Sequence, residues 1–292
     1  MELHQLKAFL ALAEEGSFTL AAEKLYLSQS AVSQSIARLE ESLGEGLLQR
    51  RRGKLRLSEA GELFLPRARQ GLEALQKGAE LVESLSGLQR GKLSIGAVDV
   101  AALDLLPRLF QRFRTLYPGI EISVQVGGSR RLREELESGK LDLAILFSRE
   151  EPEAMNSFSL GHDEMCIIAP AGKKDPEGYI SYPRNSVTRE ILEESFARQG
   201  IPFPVLMEID RPEVILQLVR SGLGRAVLPR RLLQHWSGER GFRRLRPRSL
   251  KLQRPLYLLH PDRESLSPAC RTFLEESEKT LKKGLGFAKV RA

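Results

Sequence analysis

The stretch Phe18-Thr19-Leu20-Ala21-Ala22-Glu23-Lys24-Leu25-Tyr26-Leu27-Ser28-Gln29-Ser30-Ala31-Val32-Ser33-Gln34-Ser35-Ile36-Ala37-Arg38-Leu39-Glu40 reads as two amphipathic helices with a short break at Tyr26 and Leu27. In the first, Ala21, Ala22 and Leu25 make a compact face that lets another helix cross closely. Ser28 is a good N-cap for the second, whose apolar residues Val32, Ile36, Leu39 and Leu43 are spaced by four, three and four before Gly44 ends it. A rotation of ~100° per residue puts Ser30, Ser33, Gln34, Ala37 and Arg38 opposite that stripe. Surface helices more often carry alternating Glu and Lys there. A small, neutral, hydrogen-bonding flank suits close approach to another surface, and base edges in a major groove are such a surface: Gln pairs with adenine, Arg with guanine, Ser with either.

Working outward, Leu6, Phe9, Leu10 and Ala13 fall at i, i+3, i+4 and i+7, a preceding helix stopped by Gly16. On the other side, Leu47-Leu48-Gln49-Arg50-Arg51-Arg52-Gly53-Lys54-Leu55-Arg56-Leu57 alternates apolar and basic residues around a glycine turn and predicts a two-stranded wing. Arg50, Arg51, Arg52, Lys54 and Arg56 bring positive charge with no acid between them, suited to neutralising phosphates and releasing counterions. Alone, the helices read equally well as a bare bundle and the wing as a solvated hairpin. Side by side they point to a winged helix-turn-helix on duplex DNA, over residues 1–58.

From Ser58 a long helix is expected, in which Leu65, Ala68, Leu72, Leu75, Ala79 and Val82 repeat alternately by three and four. Such a seam is expected to join two copies of the chain, the alternative being docking on the chain's own second domain. Residues 59–90 form this linker, with a hinge from Gly87 to Gly91.

Beyond it the period switches to strand and helix in alternation, the signature of a parallel sheet wrapped by helices. Expected strands are Leu93 to Ile95, Glu121 to Val126, Leu143 to Phe147, Met165 to Ala169, Val205 to Ile209, Ala226 to Leu228 and Leu256 to Leu259. Expected helices are 101–116, 130–138, Thr188 to Arg198, Pro212 to Ser221, and Pro268 to about Lys282. Two α/β lobes with a cleft between them account for this order: lobe I about 91–160 and 266–292, lobe II about 161–265. Ligands of open α/β sheets sit beyond the carboxyl ends of strands, at helix starts. That rule selects Val98, Asp99 and Val100, then Gly128 and Ser129, then Asn185, Ser186 and Thr188, although each polar residue there also serves as an ordinary cap. Asp99 repels an anion; it either caps a helix away from the cleft or suits a ligand with an amino group.

The whole chain of 292 residues suggests about two domains, and 41% apolar with 28% charged residues is ordinary for a folded globular protein. Lys+Arg of 45 against Asp+Glu of 38 gives +7, which permits a polyanionic partner. With only Cys166 and Cys270, a disulfide-built secreted fold is excluded and a reducing cytoplasm is expected. The start is broken by Glu2, Lys7, Glu14 and Glu15 and does not read as a signal peptide. No apolar run approaches the ~20 residues of a membrane span. Catalysis finds little support: His4, His162, His235 and His260 are scattered, no Gly-x-Ser-x-Gly occurs, and His162 with Cys166 alone makes no metal site. No cofactor and no metal is expected. The basic concentration of Arg230, Arg231, Arg243, Arg244, Arg246 and Arg248 reads by default as solvated surface.

The helix-turn-helix stretch quoted above, with Leu43-Gly44 and Leu57-Ser58-Glu59-Ala60-Gly61, resembles the LysR-type transcriptional regulators, as does Gly222-Leu223-Gly224-Arg225-Ala226-Val227-Leu228-Pro229. The resemblance covers nearly the whole chain. It implies an α/β multidomain protein: an N-terminal winged helix-turn-helix, a long linker helix and a C-terminal two-lobed domain like the periplasmic binding proteins. It further implies homodimers through the long helix, commonly homotetramers, a small-molecule effector between the lobes, promoter DNA and possible contact with RNA polymerase, as activator or repressor. DNA contacts would then come from Ser28, Gln29, Ser30, Ser33, Gln34, Arg38 and the wing residues Arg50, Arg51, Arg52 and Lys54. Where that family usually has hydroxyls after the first strand, this chain has Val98, Asp99 and Val100. Rival readings are a constitutive DNA-architectural protein and a solute-binding or enzymatic domain fused to a helix bundle.

Overall fold

A computed structural model describes residues 1–51, 54–83, 91–152, 155–172, 176–235, 241–245 and 250–281. The chain divides into two compact units, Met1–Ser86 and Gly87–Ala292.

In the first unit, α1 (Leu3–Glu15), α2 (Phe18–Leu25) and α3 (Gln29–Leu43) enclose a core of Phe9, Leu12, Ala21, Ala22, Val32, Ile36 and Leu39. Gly16 and Gly44 adopt the left-handed conformation that stops α1 and α3. Leu43, read as part of the buried stripe, is exposed, because it stands on the last turn beyond the reach of α1 and α2. Strands β1 (Leu48–Arg51) and β2 (Lys54–Leu57) pair antiparallel, with Arg51 opposite Lys54. Arg52 and Gly53 lie outside the described residues. The 25-residue α4 (Glu59–Glu83) is capped by Ser58, whose Oγ accepts from the Gly61 N–H at 3.0 Å. A Cβ on Gly61 would meet the Leu47 carbonyl oxygen at 2.1 Å, so only glycine lets α4 start against the wing.

The long helix divides its seam in two. Leu65, Ala68 and Leu72 pack on the helix-turn-helix core, beside the Phe9–Phe64 ring contact at 5.5 Å. Leu75, Ala79 and Val82 are exposed, Leu75 by 60% and Val82 by 67%. Within one chain the first half of the seam thus rests on the helix-turn-helix core, with Leu65 and Leu72 partly buried and Ala68 buried, and the second half is open. Of the hinge, residues up to 90 lie outside the described residues.

The second unit holds two cores. In lobe I, β3 (Gly91–Ala97), β4 (Ile120–Val126) and β5 (Leu143–Phe147) run parallel in the order β5-β3-β4, as the alternation predicts. The helices are α5 (Leu106–Leu116), preceded by a π-helical turn at Ala101–Leu105, and α6 (Ser129–Glu137). The full sheet is mixed rather than parallel. A 15-residue β6 (Asn156–Pro170) and β11 (Gln253–His260) pair antiparallel, because one strand carries the chain out of lobe I and the other brings it back. Lobe II is built from β7 (Tyr179–Ser181), α7 (Val187–Ala197), β8 (Val205–Glu208), α8 (Pro212–Arg220), β9 (Ala226–Pro229), α9 (Arg230–His235) and β10 (Phe242–Leu245). Gly224 lies against β7: a Cβ there would meet Ile180 Cγ1 at 2.7 Å. Leu256, Leu258 and Leu259 pack in the first core with Phe113 and Phe273 of α10 (Pro268–Thr280). The chain thus re-enters lobe I within β11, ahead of residue 266, since Leu256 to Leu259 all pack on the lobe I core.

Candidate functional site

In the first unit, burial separates the two sides of α3 cleanly. Val32, Ser35, Ile36 and Leu39 are buried; Gln29, Ser30, Ser33, Gln34, Ala37 and Arg38 are all exposed. Ser28 Oγ accepts from the Ala31 N–H at 3.2 Å and lies 2.9 Å from Ser30 Oγ, so the cap also orients the first turn. Glu40, which sequence reasoning did not single out, fixes the wing to this helix: its Oε1 accepts from the backbone N–H groups of Leu47 at 2.7 Å and Leu48 at 3.2 Å. The polar flank and the basic hairpin are therefore parts of one rigid head.

In the second unit, all eight residues selected at strand ends line a single cavity of about 370 Å³ between the lobes. Val98, Asp99 and Val100 follow β3, Gly128 and Ser129 open α6, and Asn185, Ser186 and Thr188 surround the start of α7. Three of the hydroxyls are already engaged. Ser129 Oγ accepts from the Phe147 N–H at 3.1 Å, Ser186 Oγ caps α7 by accepting from the Arg189 N–H at 3.1 Å, and Thr188 Oγ1 accepts from Arg254 Nη1 at 2.9 Å. Asp99 lines the cavity and caps no helix. Burial pushes its carboxyl above the ordinary range, Glu213 and Asp210 push the same way, and Arg254 and Arg211 oppose.

The cavity floor was not foreseen. Arg254 on β11 lies opposite Asp163 on β6 in the register of the two crossing strands. Its Nε and Nη2 both donate to Asp163 Oδ2, the Nε at 3.2 Å, and its guanidinium stacks 3.7 Å above the Phe147 ring. Asp163 is 0% exposed. Burial raises its pKa and the guanidinium pulls it back. One residue thus touches both lobes: Phe147 at the end of β5 and Thr188 at the start of α7. Tyr182, just after β7, also lines the cavity, and its buried hydroxyl has no hydrogen-bond partner among the described residues.

Elsewhere, Arg230 pairs with Glu164 at 2.8 Å, and Asp104 takes both Arg231 Nη1 at 2.7 Å and His235 Nε2 at 2.6 Å, which holds its carboxyl below the usual range. These arginines of the basic concentration serve ion pairs; Arg246 and Arg248 lie outside the described residues. Burial lifts the Cys166 thiol to about 11, so it is a poor thiolate. Among the described residues no three His, Cys, Asp or Glu side chains are grouped as metal ligands, and no helix is long and apolar enough to cross a membrane.

Comparison with known proteins agrees with this division. Residues 3–62 match the bacterial regulatory helix-turn-helix protein, lysR family, and residues 86–282 match the LysR substrate binding domain. The HTH-type transcriptional activator CmpR of Synechocystis sp. is 31% identical over 288 residues, covering 94% of this chain and 93% of that protein. The probable RuBisCO transcriptional regulator of Emiliania huxleyi is 33% identical over 242 residues, 77% of each chain. Among solved structures, full-length OxyR from Pseudomonas aeruginosa superposes with a TM-score of 0.74 at 21% identity, covering 100% of this chain and 98% of that one. Full-length CbnR complexed with its target DNA gives 0.68 at 21% identity over 96% of this chain and 100% of that one. With an exposed recognition helix in one unit and a cleft-bearing two-lobed domain in the other, this chain belongs to the LysR family of transcriptional regulators.

Proposed function

We propose that the chain binds promoter DNA in a sequence-specific way and that a small effector in the cleft between its lobes controls the outcome. The observation that carries this reading is the exposed, uncharged polar flank of α3 beside the basic hairpin. Gln29, Ser30, Ser33, Gln34 and Arg38 read or flank bases, Ser28 fixes their helix, and Arg50, Arg51, Arg52 and Lys54 hold phosphate. Residues 1–58 are the DNA-binding domain, 59–90 the linker and 91–292 the effector domain. The exposed distal half of α4, Leu75, Ala79 and Val82, joins two copies. Pairing of dimers into tetramers, contact with RNA polymerase and residence in the cytoplasm follow the mode of action of a promoter-bound regulator. The domain acts by binding and not by catalysis.

An effector moves the conformational equilibrium only by preferring one lobe arrangement. The test is footprinting and bending of the regulator's own upstream DNA with and without a compound that raises the melting temperature of the full chain. A footprint and bend that change with the compound are expected. Identical patterns in both states sink effector control, and equal binding to operator and random duplex sinks sequence-specific recognition.

A further inference from the structure

The effector reading leaves the chemistry of the effector open, and the charges around the cleft settle its class. Four arginines line the cavity: Arg130, Arg131, Arg211 and Arg254. Three of them are already neutralised. Arg254 is bound to buried Asp163, Arg130 Nη2 pairs with Glu190, and Arg131 Nε pairs with Glu135 at 3.0 Å. The carboxylates are placed the opposite way. Asp99 and Asp210 line the same cavity and form no hydrogen bond or ion pair among the described residues. Exposed Arg211, between Asp210 and Pro212, is the one of the four without an ion pair among the described residues; with Arg254 it draws on Asp99, and Glu213 adds a further negative charge toward that carboxylate.

Tyr182 supplies an independent observation. Its side chain is 7% exposed, it lines the cavity, and its hydroxyl is buried without a partner among the described residues. Tyr182 and Asp99 line one cavity. An orphaned hydroxyl and an unpaired carboxylate in one cavity are acceptors open to N–H donors. An anionic ligand taken up by Arg254 would displace Asp163, stranding a buried carboxylate, and one held by Arg211 or a helix start would still sit against Asp99 and Asp210. The walls are apolar at Val98, Val100 and Leu232, and no third acidic or imidazole group completes a metal set among the described residues. An organic cation fits where a metal ion does not.

We propose that the cleft selects a small metabolite bearing a protonated amine, its ammonium group bound by Asp99 and the Tyr182 hydroxyl with Asp210 at the entrance. The proposal rests on the effector reading. Its test uses the full chain, titrated by calorimetry and thermal shift with butylamine, putrescine and the zwitterion norvaline, and with butyrate, succinate and magnesium as counter-probes. The ammonium compounds are expected to raise the melting temperature of wild type. Asp99→Asn is expected to weaken them by roughly tenfold or more, and Tyr182→Phe by a few-fold, since a charged hydrogen bond outweighs a neutral one. Norvaline binding above butylamine would assign an amino acid, and the reverse a simple amine. Both variants are checked for a single cooperative unfolding transition, and Tyr182→Phe carries the test if Asp99→Asn fails to fold. Binding of succinate, butyrate or magnesium alone overturns the ammonium assignment and leaves the effector reading standing. Equal amine binding by wild type and both variants overturns it as well, and silence from every probe class overturns both.

Discussion

The outer flank of α3 and the floor of the cleft are both polar, yet they are built on opposite rules. On α3 the side chains of Gln29, Ser30, Ser33, Gln34 and Arg38 stand in water, and local devices such as the Ser28 cap and Glu40 hold only the backbone beneath them. On the cleft floor Arg254 spends its donors on Asp163 and Thr188 and its face on Phe147. A surface meant for another molecule leaves its hydrogen-bonding capacity open, whereas a group that fixes two lobes closes it internally. Asp99 and Tyr182 sit within the second region and follow the rule of the first.

The comparison breaks most visibly at Arg254. Arg254→Met leaves Asp163 buried without its cation, and a stranded partner of a buried pair costs about 3–5 kcal/mol. Denaturant unfolding of the full chain should show that loss. Adding Asp163→Asn should restore much of it, because the cost lies in the abandoned charge rather than in the missing contact. If the single and double variants unfold alike, the pair is not what holds the floor together.

These two regions also differ in how far the sequence betrays them. The α3 flank is legible because a helix repeats every ~3.6 residues and its capping and stopping residues lie within the same short stretch. The eight strand-end residues were legible because topology alone decides where strands of an α/β domain terminate. Arg254 carried no such mark: it is the second residue of β11, ahead of the apolar run Leu256 to Leu259, and its partner is 91 positions away. Only the last third of β6 was visible, because His162, Asp163 and Glu164 interrupt its apolar pattern. Tyr182 was hidden behind a three-residue strand too short to show a period. The α4 seam teaches the complementary lesson. Ala68 and Leu75 stand seven residues apart and occupy equivalent places in one repeat, yet only packing on the helix-turn-helix core decides that the first is covered and the second exposed.

On the DNA side, Gln34→Ala should cost about 1–3 kcal/mol at the cognate site and little on random duplex. Replacing Arg51 and Arg52 should weaken both duplexes and reduce the slope of log K against log salt by about 1 per charge removed. Competition binding over a salt series separates the two. Equal losses on both duplexes for Gln34→Ala would mean that the flank does not read bases. Ser28→Ala removes only the cap of α3, about 1 kcal/mol by denaturant unfolding, with the sequence preference kept in proportion.

The smallest effect sharpens the comparison within the cleft itself. Asp99 has its folded-state pKa raised above the ordinary 3.8, chiefly by burial and then by Glu213 and Asp210. A group shifted this way binds its proton more tightly when folded. Its contribution to stability is therefore present below the unfolded value and is lost as pH rises through the folded one. Ionising a carboxylate whose pKa is raised in this way costs stability, and Asp99 has no hydrogen-bond partner among the described residues to offset it, so Asp99→Asn should melt slightly higher than wild type at neutral pH. The two curves should converge on acidification below the unfolded pKa, where Asp99 is protonated in both states. Melting temperatures across that range check the sign. A variant that melts lower than wild type at neutral pH would mean that the Asp99 carboxylate is already satisfied from within, as the groups of the floor are.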